Sequence, residues 1–479
     1  MTAYVLGAGP AGLAIVDGIA EASDTPIVVL ERGDDIGGLA RTIEWEGFGA
    51  HDLGPHKIFT LDTLLMERVA SLLGEGGWLT RQKRSSIYLN GHYLPYPPSP
   101  FSLLGVYGPR RFARMVRGFV WAMLRSTFSS VEAAHTFERD LQTRVGSGIY
   151  EVLFKPIALK LWGDPSDLDA KLSKGRVQTP SIGELAAQVL GKKKATSQFE
   201  ALEFDYPRGG LQSLWHAIRE KAGAQCEVRL GSEVETIEMT DDNVSGIAFR
   251  DLGRGSSERI DISDNDFVFS TLPLGLQIRL MKPALPPALI EKVKEVVQLN
   301  DLILVFLKID SPQLMEDSWI FVPDPSIPFH RVSEQSSFDP DMTPGGSIVC
   351  CEIMSNPSRP MSRESDENLI RLAREGLAKM QLSNFDEIAA KVIRLPRSYP
   401  VFRPGFEDSL KAVLSYFDGL GNFRTIGRQG AFNYIGTLDA MDIGYGAARW
   451  FLEDELRGGR RAETWQAERN RTSFYPVLD

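Results

Sequence analysis

The chain has 479 residues, 43% of them hydrophobic and 24% charged, with 53 basic and 63 acidic side chains and a net charge of -10. That length predicts two or three packed substructures able to bury a large cofactor, and the ordinary composition excludes disordered, collagen-like and fibrous classes. The acidic balance argues against general nucleic-acid binding, which needs basic residues to neutralise phosphates; an anionic ligand would require a local basic pocket.

The first predicted strand, Tyr4-Val5-Leu6, runs into Gly7-Ala8-Gly9-Pro10-Ala11-Gly12, and a second apolar strand, Ile27 to Leu30, ends on Glu31. In this Gly-x-Gly-x-x-Gly order, Gly7 permits the tight turn, Gly9 lets the backbone approach a pyrophosphate, and Gly12 lets the following helix lie close to the strand. The phosphates then sit at a helix N-terminus, where free amides favour negative charge. Glu31 is positioned to accept hydrogen bonds from an unphosphorylated ribose, which points to FAD or NAD and away from NADP. The continuation Arg32-Gly33-Asp34-Asp35-Ile36-Gly37-Gly38-Leu39-Ala40-Arg41-Thr42 adds a second Gly-rich segment with a glycine pair and a basic residue. Because the first strand begins so early, a signal peptide is not expected; no apolar run reaches the roughly 18 residues that span a bilayer. A soluble protein follows as the expectation.

Further along, residues 61 to 75 have a helical apolar pattern, and Ser85 to Pro95 reads as a hairpin turning at Asn90-Gly91. Residues 101 to 198 read as mostly helical. From Pro109 to Arg125, Phe112, Met115, Val116, Phe119, Val120 and Met123 recur at helical spacing, and Arg110, Arg111, Arg114, Arg117 and Arg125 fall largely elsewhere. The favoured reading is a helix packed on its own protein, with arginines solvated or facing an anionic substrate; a membrane-surface helix is the alternative. Gly191-Lys192-Lys193-Lys194 reads as an exposed loop. Next come Tyr206-Pro207-Arg208-Gly209-Gly210-Leu211 with a helix to about Ala222, then strands at Glu227 to Leu230 and Val234 to Met239. Asp266 to Pro273 reads as a buried strand returning to the first sheet, and residues 300 to 355 as a second, antiparallel sheet. The chain closes with a strand, a Gly-rich turn and a long helix. Cys226, Cys350 and Cys351 form no CxxC pair, so neither a zinc site nor a disulfide scaffold is expected, no metal is called for, and a reducing cytoplasm fits.

The two Gly-rich motifs resemble those of the FAD-dependent superfamily that includes amine oxidases, protoporphyrinogen oxidase and UDP-galactopyranose mutase. Later segments resemble the mutase-like branch most: Asp52-Leu53-Gly54-Pro55-His56-Lys57-Ile58-Phe59-Thr60, Val145-Gly146 to Tyr150, Leu161-Trp162-Gly163, and Thr425-Ile426-Gly427-Arg428-Gln429-Gly430-Ala431-Phe432-Asn433-Tyr434. The resemblance implies an α/β fold: a Rossmann-type FAD-binding domain of the GR2-like flavoprotein kind, with a substrate domain of antiparallel sheet and helices. Residues 1–90, 201–275 and 416–479 would form the FAD-binding part, 91–200 a mainly helical cap, and 276–415 the substrate-binding sheet. It also implies that Gly7, Gly9, Pro10, Ala11, Gly12, Glu31, Arg32, Gly37, Gly38, Leu39, Ala40, Arg41, Gly54, Pro55, His56, Val234, Thr271, Gly427, Arg428, Tyr434 and Met441 contact FAD.

For chemistry, His56 is the first candidate for a flavin-side group, its competitor being a histidine that only orients its loop. Arg428 and Arg331, with Tyr434, complete the catalytic candidates, and each arginine could clamp a diphosphate through its guanidinium fork. Trp162, Arg176, Arg331 and Tyr434 are the substrate-binding candidates; for Trp162 and Tyr434 the competing reading, and the commoner one for such residues, is a place in the core. If the mutase resemblance extends to chemistry, it implies a sugar nucleotide undergoing pyranose/furanose isomerisation through a reduced-flavin N5 adduct, with a reductant as partner and a homodimer allowed for. Two departures bear on the substrate: Pro180 falls near an expected basic residue, and Ile435-Gly436-Thr437-Leu438-Asp439-Ala440-Met441 replaces the usual cluster after Tyr434. The alternatives are a redox enzyme on the same scaffold, passing electrons to oxygen or another acceptor, and a flavin-binding protein without turnover. An apolar cavity with Arg331 and Arg428 tied up in structural pairs would favour the redox enzyme.

Overall fold

A computed structural model describes residues 1–96, 98, 100–128, 135–176, 203–455, 462–473 and 475. The opening strand, Ala3–Leu6, is buried throughout and lies at the centre of a five-stranded parallel sheet. The order is Phe423–Thr425, Phe267–Ser270, Ala3–Leu6, Ile27–Leu30, Cys226–Arg229. Such a sheet needs cover on both faces, and the alternation of its side chains supplies it. Ala3, Val5, Ile27, Val29 and Phe267 join a core with the helices Pro10–Ala22, Leu211–Ala222 and Thr437–Trp450. Tyr4, Leu6, Leu30 and Val268 point into a second core with Val234, Ile237, Ile247 and Phe249. Those last residues belong to a four-stranded sheet ordered Ser256–Asp261, Asn243–Asp251, Ser232–Thr240, Met281–Lys282.

The expected second sheet is present and larger than residues 300 to 355 alone. It has seven strands, in the order Glu387–Pro400, Leu299–Ile309, Ser347–Ser355, Arg331–Glu334, Trp319–Phe321, Ser85–Leu89, His92–Pro95. The hairpin at Ser85 to Pro95 turns as expected, but a boundary at residue 90 cuts through it. Its first strand pairs in parallel with Trp319–Phe321, Ile320 opposite Ser86. The reason is burial on two sides: Tyr88 packs with Ile320 and Val332, whereas Ile87, Leu89 and Leu94 pack with Leu103, Met115 and Leu153 of the cap helices.

Where the segment is described, between residues 100 and 176, it is mostly helical, with helices Pro100–Phe128, Phe137–Ile149, Lys155–Leu161 and Ala170–Arg176; residues 177–198 of the expected helical stretch lie outside the described residues. The first is two helices joined at Gly108, whose φ of 71° and ψ of 167° break the spiral just before Pro109. The first two helices meet at a crossing made of glycine: a Cβ on Gly146 would lie 2.7 Å from the Gly118 backbone, and one on Gly148 3.1 Å from Met115 Cα. The closing strand, turn and long helix are also as expected, and a further helix, Ala462–Arg471, follows them. The Gly191 to Lys194 segment and Pro180 lie outside the described residues.

Candidate functional site: a cavity with a nucleotide end and an apolar arm

At the C-terminal edge of the parallel sheet opens a cavity of 1910 Å³, larger than the ~300–1,000 Å³ of most ligand pockets and roomy enough for a cofactor and a second ligand. Its first end is built from the strand–turn–helix motif. Gly7, at φ +99°, turns the chain directly after the strand, and a Cβ there would lie 2.4 Å from Thr271 Oγ1. A Cβ on Gly12 would lie 2.2 Å from the Gly7 carbonyl oxygen, so helix and strand touch through it. Gly9 differs from both: its Cβ would meet nothing within 4 Å, because that side of the backbone is open to the cavity. Pro10 begins the helix, and the Gly9 cap offers no side chain to the first-turn amides. The Glu31 carboxylate accepts the amides of Ala8 (2.8 Å) and Gly33 (2.7 Å) and lines the same wall.

The second Gly-rich segment docks on the first, the Gly37 amide donating to the Ala8 carbonyl at 2.7 Å. Gly37 itself packs against Trp215, whose indole would be 2.5 Å from any Cβ, and the Trp215 N–H donates to the Ala40 carbonyl. Gly38, Leu39, Ala40 and Arg41 line the cavity; the Arg41 guanidinium bonds Asp34 at 2.9 Å and holds that carboxyl below its usual range. Pro10, Ala11, Arg32, Pro55, His56, Val234, Thr271, Gly427, Arg428 and Tyr434 line it as well. Gly12, Gly37 and Gly54 stand behind the wall. Met441, expected against the cofactor, lies in the helix-side core instead, and Leu438, Asp439 and Ala440 of the same helix reach the cavity in its place. The helix presents that neighbouring face because its other side must cover the parallel sheet.

Beyond the nucleotide end stands the loop of Gly54, Pro55 and half-buried His56. It leaves a strand whose last residue, Asp52, is buried and accepts hydrogen bonds from Thr42 (2.6 Å) and Tyr206 (2.7 Å); burial pushes the Asp52 carboxyl up to about 6 against those two bonds. Behind Gly54 lies Glu352, 1% exposed, its Oε2 3.5 Å from where a Gly54 Cβ would sit. Arg331 faces Glu352 across adjacent strands and grips it with Nε and Nη2, the latter at 3.0 Å. His330 is buried beside the pair, 3.9 Å from Glu352 Oε2, and burial, with the charges of Arg331 and Lys160, drives it well below the usual histidine range. The Lys160 ammonium donates to the carbonyls of Val322 (2.6 Å) and Phe329 (3.0 Å), and burial, with Arg359 nearby, lowers it to about 7.

Across the cavity Arg428 is held between two rings, its guanidinium carbon 5.0 Å from the Tyr399 centroid and 4.8 Å from that of Tyr434. It also donates to the Ile435 carbonyl. Trp162 meets Tyr434 edge-on at 6.2 Å and Phe137 at 5.7 Å. Thus His56, Trp162, Arg331, Arg428 and Tyr434 do converge on one cavity. Arg176 closes the helix Ala170–Arg176, and its side chain lies outside the described residues. His330, Glu352, Tyr399 and Lys160 escaped sequence reasoning. A signal existed for one of them: Glu352 interrupts the apolar run of the strand Ser347–Ser355, all of it buried, and such a charge demands a partner.

From here an arm extends under the cap, walled by Phe112, Met115, Phe119, Ile149, Leu153 and Phe154 among others. Of the remaining cations on the cavity wall, Arg279, Arg394 and Arg397 are exposed, and Arg394 pairs with Asp366. Among the described residues no helix is long and apolar enough to cross a membrane.

The family model described as an NAD(P)-binding Rossmann-like domain matches residues 5–73. Among solved structures, the chain is similar to a reduced UDP-galactopyranose mutase, with a TM-score of 0.80 and 19% identity over 99% of this chain and 98% of that one. It is also similar to a putative protoporphyrinogen oxidase from Exiguobacterium sp. 255-15, with a TM-score of 0.70 and 17% identity over 95% of this chain and 99% of that one. Wild-type putrescine oxidase bound to putrescine follows at a TM-score of 0.62 and 17% identity, over 94% and 99%.

Proposed function

We propose that this chain, which has the fold of the FAD-dependent amine oxidase-like superfamily, is an FAD enzyme that oxidises a substrate with a largely apolar body. The residues fit the cofactor. The open side of Gly9 leaves space where any side chain would intrude, the first-turn amides favour a diphosphate, and Glu31 on the same wall is placed to meet a ribose. Gly38 to Arg41 would lie along the diphosphate, and Pro55 and His56 beside the ring system. When bound, FAD supplies a two-electron acceptor.

The chain's own contribution is a site walled by aromatic and aliphatic side chains. The observation that carries the reading is that both inner arginines are engaged: Arg331 by buried Glu352, and Arg428 between two tyrosines. Neither is poised to clamp a diphosphate, and the arm beyond them is walled by apolar side chains. Trp162, Tyr399 and Tyr434 would confine the substrate against the cofactor, and the arm would exclude water from it. The reading requires an electron acceptor, oxygen or another, and retains the reducing cytoplasm expected from the cysteines. Anaerobic mixing of the FAD-loaded protein with lipophilic amines, alcohols and cyclic alkenes should bleach the visible flavin band. A complete absence of bleaching across such a panel would remove this reading.

A second reading, isomerisation of a sugar nucleotide, is favoured by the exposed cavity-wall arginines Arg279 and Arg397 and by similarity to a UDP-galactopyranose mutase along the whole chain. Conversion of a nucleotide sugar to its ring isomer by the dithionite-reduced protein would establish it in place of the first. A protein that retains FAD and does neither would be a flavin-binding protein without turnover.

A further inference from the structure

The helix Pro100–Phe128 carries a face that the cavity does not use. Between residues 100 and 128 there are five arginines and no aspartate or glutamate, in a chain whose net charge is -10. Arg110, Arg111, Arg114, Arg117 and Arg125 are all exposed. Four large apolar side chains are exposed with them: Val116 (40%), Val120 (46%), Trp121 (69%) and Leu124 (45%). At 3.6 residues per turn these do not scatter. Val116, Val120 and Leu124 stack at intervals of four along one flank, while Arg110, Arg114, Arg117, Trp121 and Arg125 form the stripe beside it.

We propose that this outward face seats the protein on the surface of an anionic lipid bilayer, above the apolar arm. The flank of Val116, Val120 and Leu124 is continuous with the cavity: Phe112, which lines it, begins the same row four residues before Val116, Phe119, which also lines it, stands on the row beside, and Val116 both lines it and is exposed. An apolar path therefore runs from the arm over the helix to its outer surface. Arginine beside tryptophan and leucine is the side-chain set that an interfacial helix uses, the rings and aliphatic chains entering the headgroup boundary and the guanidinium groups meeting lipid phosphates. Charge complementarity selects the occupant. A second copy docking by the same face would bring two sets of five arginines together, whereas an anionic leaflet attracts them. The helix is too short of apolar residues to cross the bilayer, so it lies on the surface. The inference does not depend on which reaction the cavity performs.

The test is flotation of the full chain with vesicles of phosphatidylcholine alone and of phosphatidylcholine and phosphatidylglycerol in equal parts, without any substrate. Binding is expected only to the anionic vesicles and should be lost at high salt. Each arginine near the surface is worth about fivefold in affinity, so Arg114→Glu/Arg117→Glu should weaken binding about 25-fold or more. Trp121→Glu should weaken it too, and because all three side chains are exposed, flavin content and circular dichroism should not change. No binding to anionic vesicles, equal binding to neutral ones, or binding indifferent to these substitutions would overturn the proposal. Self-association abolished by the same variants, with no vesicle binding, would overturn it in favour of a contact between copies.

Discussion

At the nucleotide end of the cavity the wall is largely backbone: Gly7, Gly9 and Gly38 bring main chain to the surface, and the first-turn amides of the helix after Pro10 have no side-chain cap. At the far end the wall is side chain, and its arginines are engaged by their own neighbours, Arg331 by the Glu352 carboxylate and Arg428 by the faces of Tyr399 and Tyr434. One end exposes uncapped backbone amides; the other holds its guanidinium groups against a carboxylate and two rings. The difference teaches that an arginine in a pocket is no anion clamp until its partners are known.

The largest expected effects come from the nucleotide end. Gly12→Val would drive a side chain into the Gly7 carbonyl, 2.2 Å from the Cβ position, and should yield no soluble folded protein. Gly9→Val should fold, since nothing lies within 4 Å of its Cβ, yet bind FAD at least about 100-fold more weakly, because the branched side chain occupies the diphosphate's place. Flavin-to-protein ratio after desalting, read beside circular dichroism, separates the two; equal retention in Gly9→Val and wild type would contradict the assignment of this end.

At the far end, Glu352→Gln removes the carboxylate that the part-buried Arg331 grips and should cost about 3 kcal/mol in urea unfolding. The pair replacement Arg331→Met/Glu352→Met should recover most of it. A loss of only a few tenths from the single change would mean that the pair is solvated and the far end is not as dry as described.

Asp52, which anchors the His56 loop between the two ends, gives a signed pH effect. Its folded value, about 6, is raised above the ordinary 3.8, so the folded state holds the proton more tightly than the unfolded one between these values. Stability should therefore fall as pH rises from about 4 to about 6, by up to about 3 kcal/mol, and Asp52→Asn should flatten that slope. An unchanged slope in the variant would assign the dependence to another group. The smallest effect is expected from Arg428→Met, which removes two ring contacts worth about 0.5–2 kcal/mol each and should lower thermal stability by a few degrees.

How much of this was legible varies by residue. Gly7 turns the chain after the strand and Gly12 lets helix and strand touch, while the Gly9 side is open; these surroundings are legible from spacing because all three are set within a few residues. Met441 lies in the helix-side core, because a helix position near the site says nothing about which face the helix turns toward it. The hairpin was legible as a hairpin, from Asn90-Gly91, but its place at the edge of the seven-stranded sheet was not, since strand pairing depends on a partner more than two hundred residues away. The amphipathic helix was read as packed on its own protein. One face is, with Met115 buried, yet the structure also exposes Val120 and Trp121, which periodicity alone does not reveal.

The parallel sheet and the glycine-rich turn at its edge could be read from the residues alone, since apolar runs that need cover on both faces, and glycines whose surroundings follow from their own conformation and nearest neighbours, are local properties. The partners of the far-end arginines were set by long-range packing. Whether Arg331 is free depends on the register that puts Glu352 opposite it, and whether Arg428 can reach a ligand depends on Tyr399 and Tyr434, brought to its two sides by a strand and a loop. Electrostatic partners act through space, and spatial neighbours at long sequence separation are set by packing.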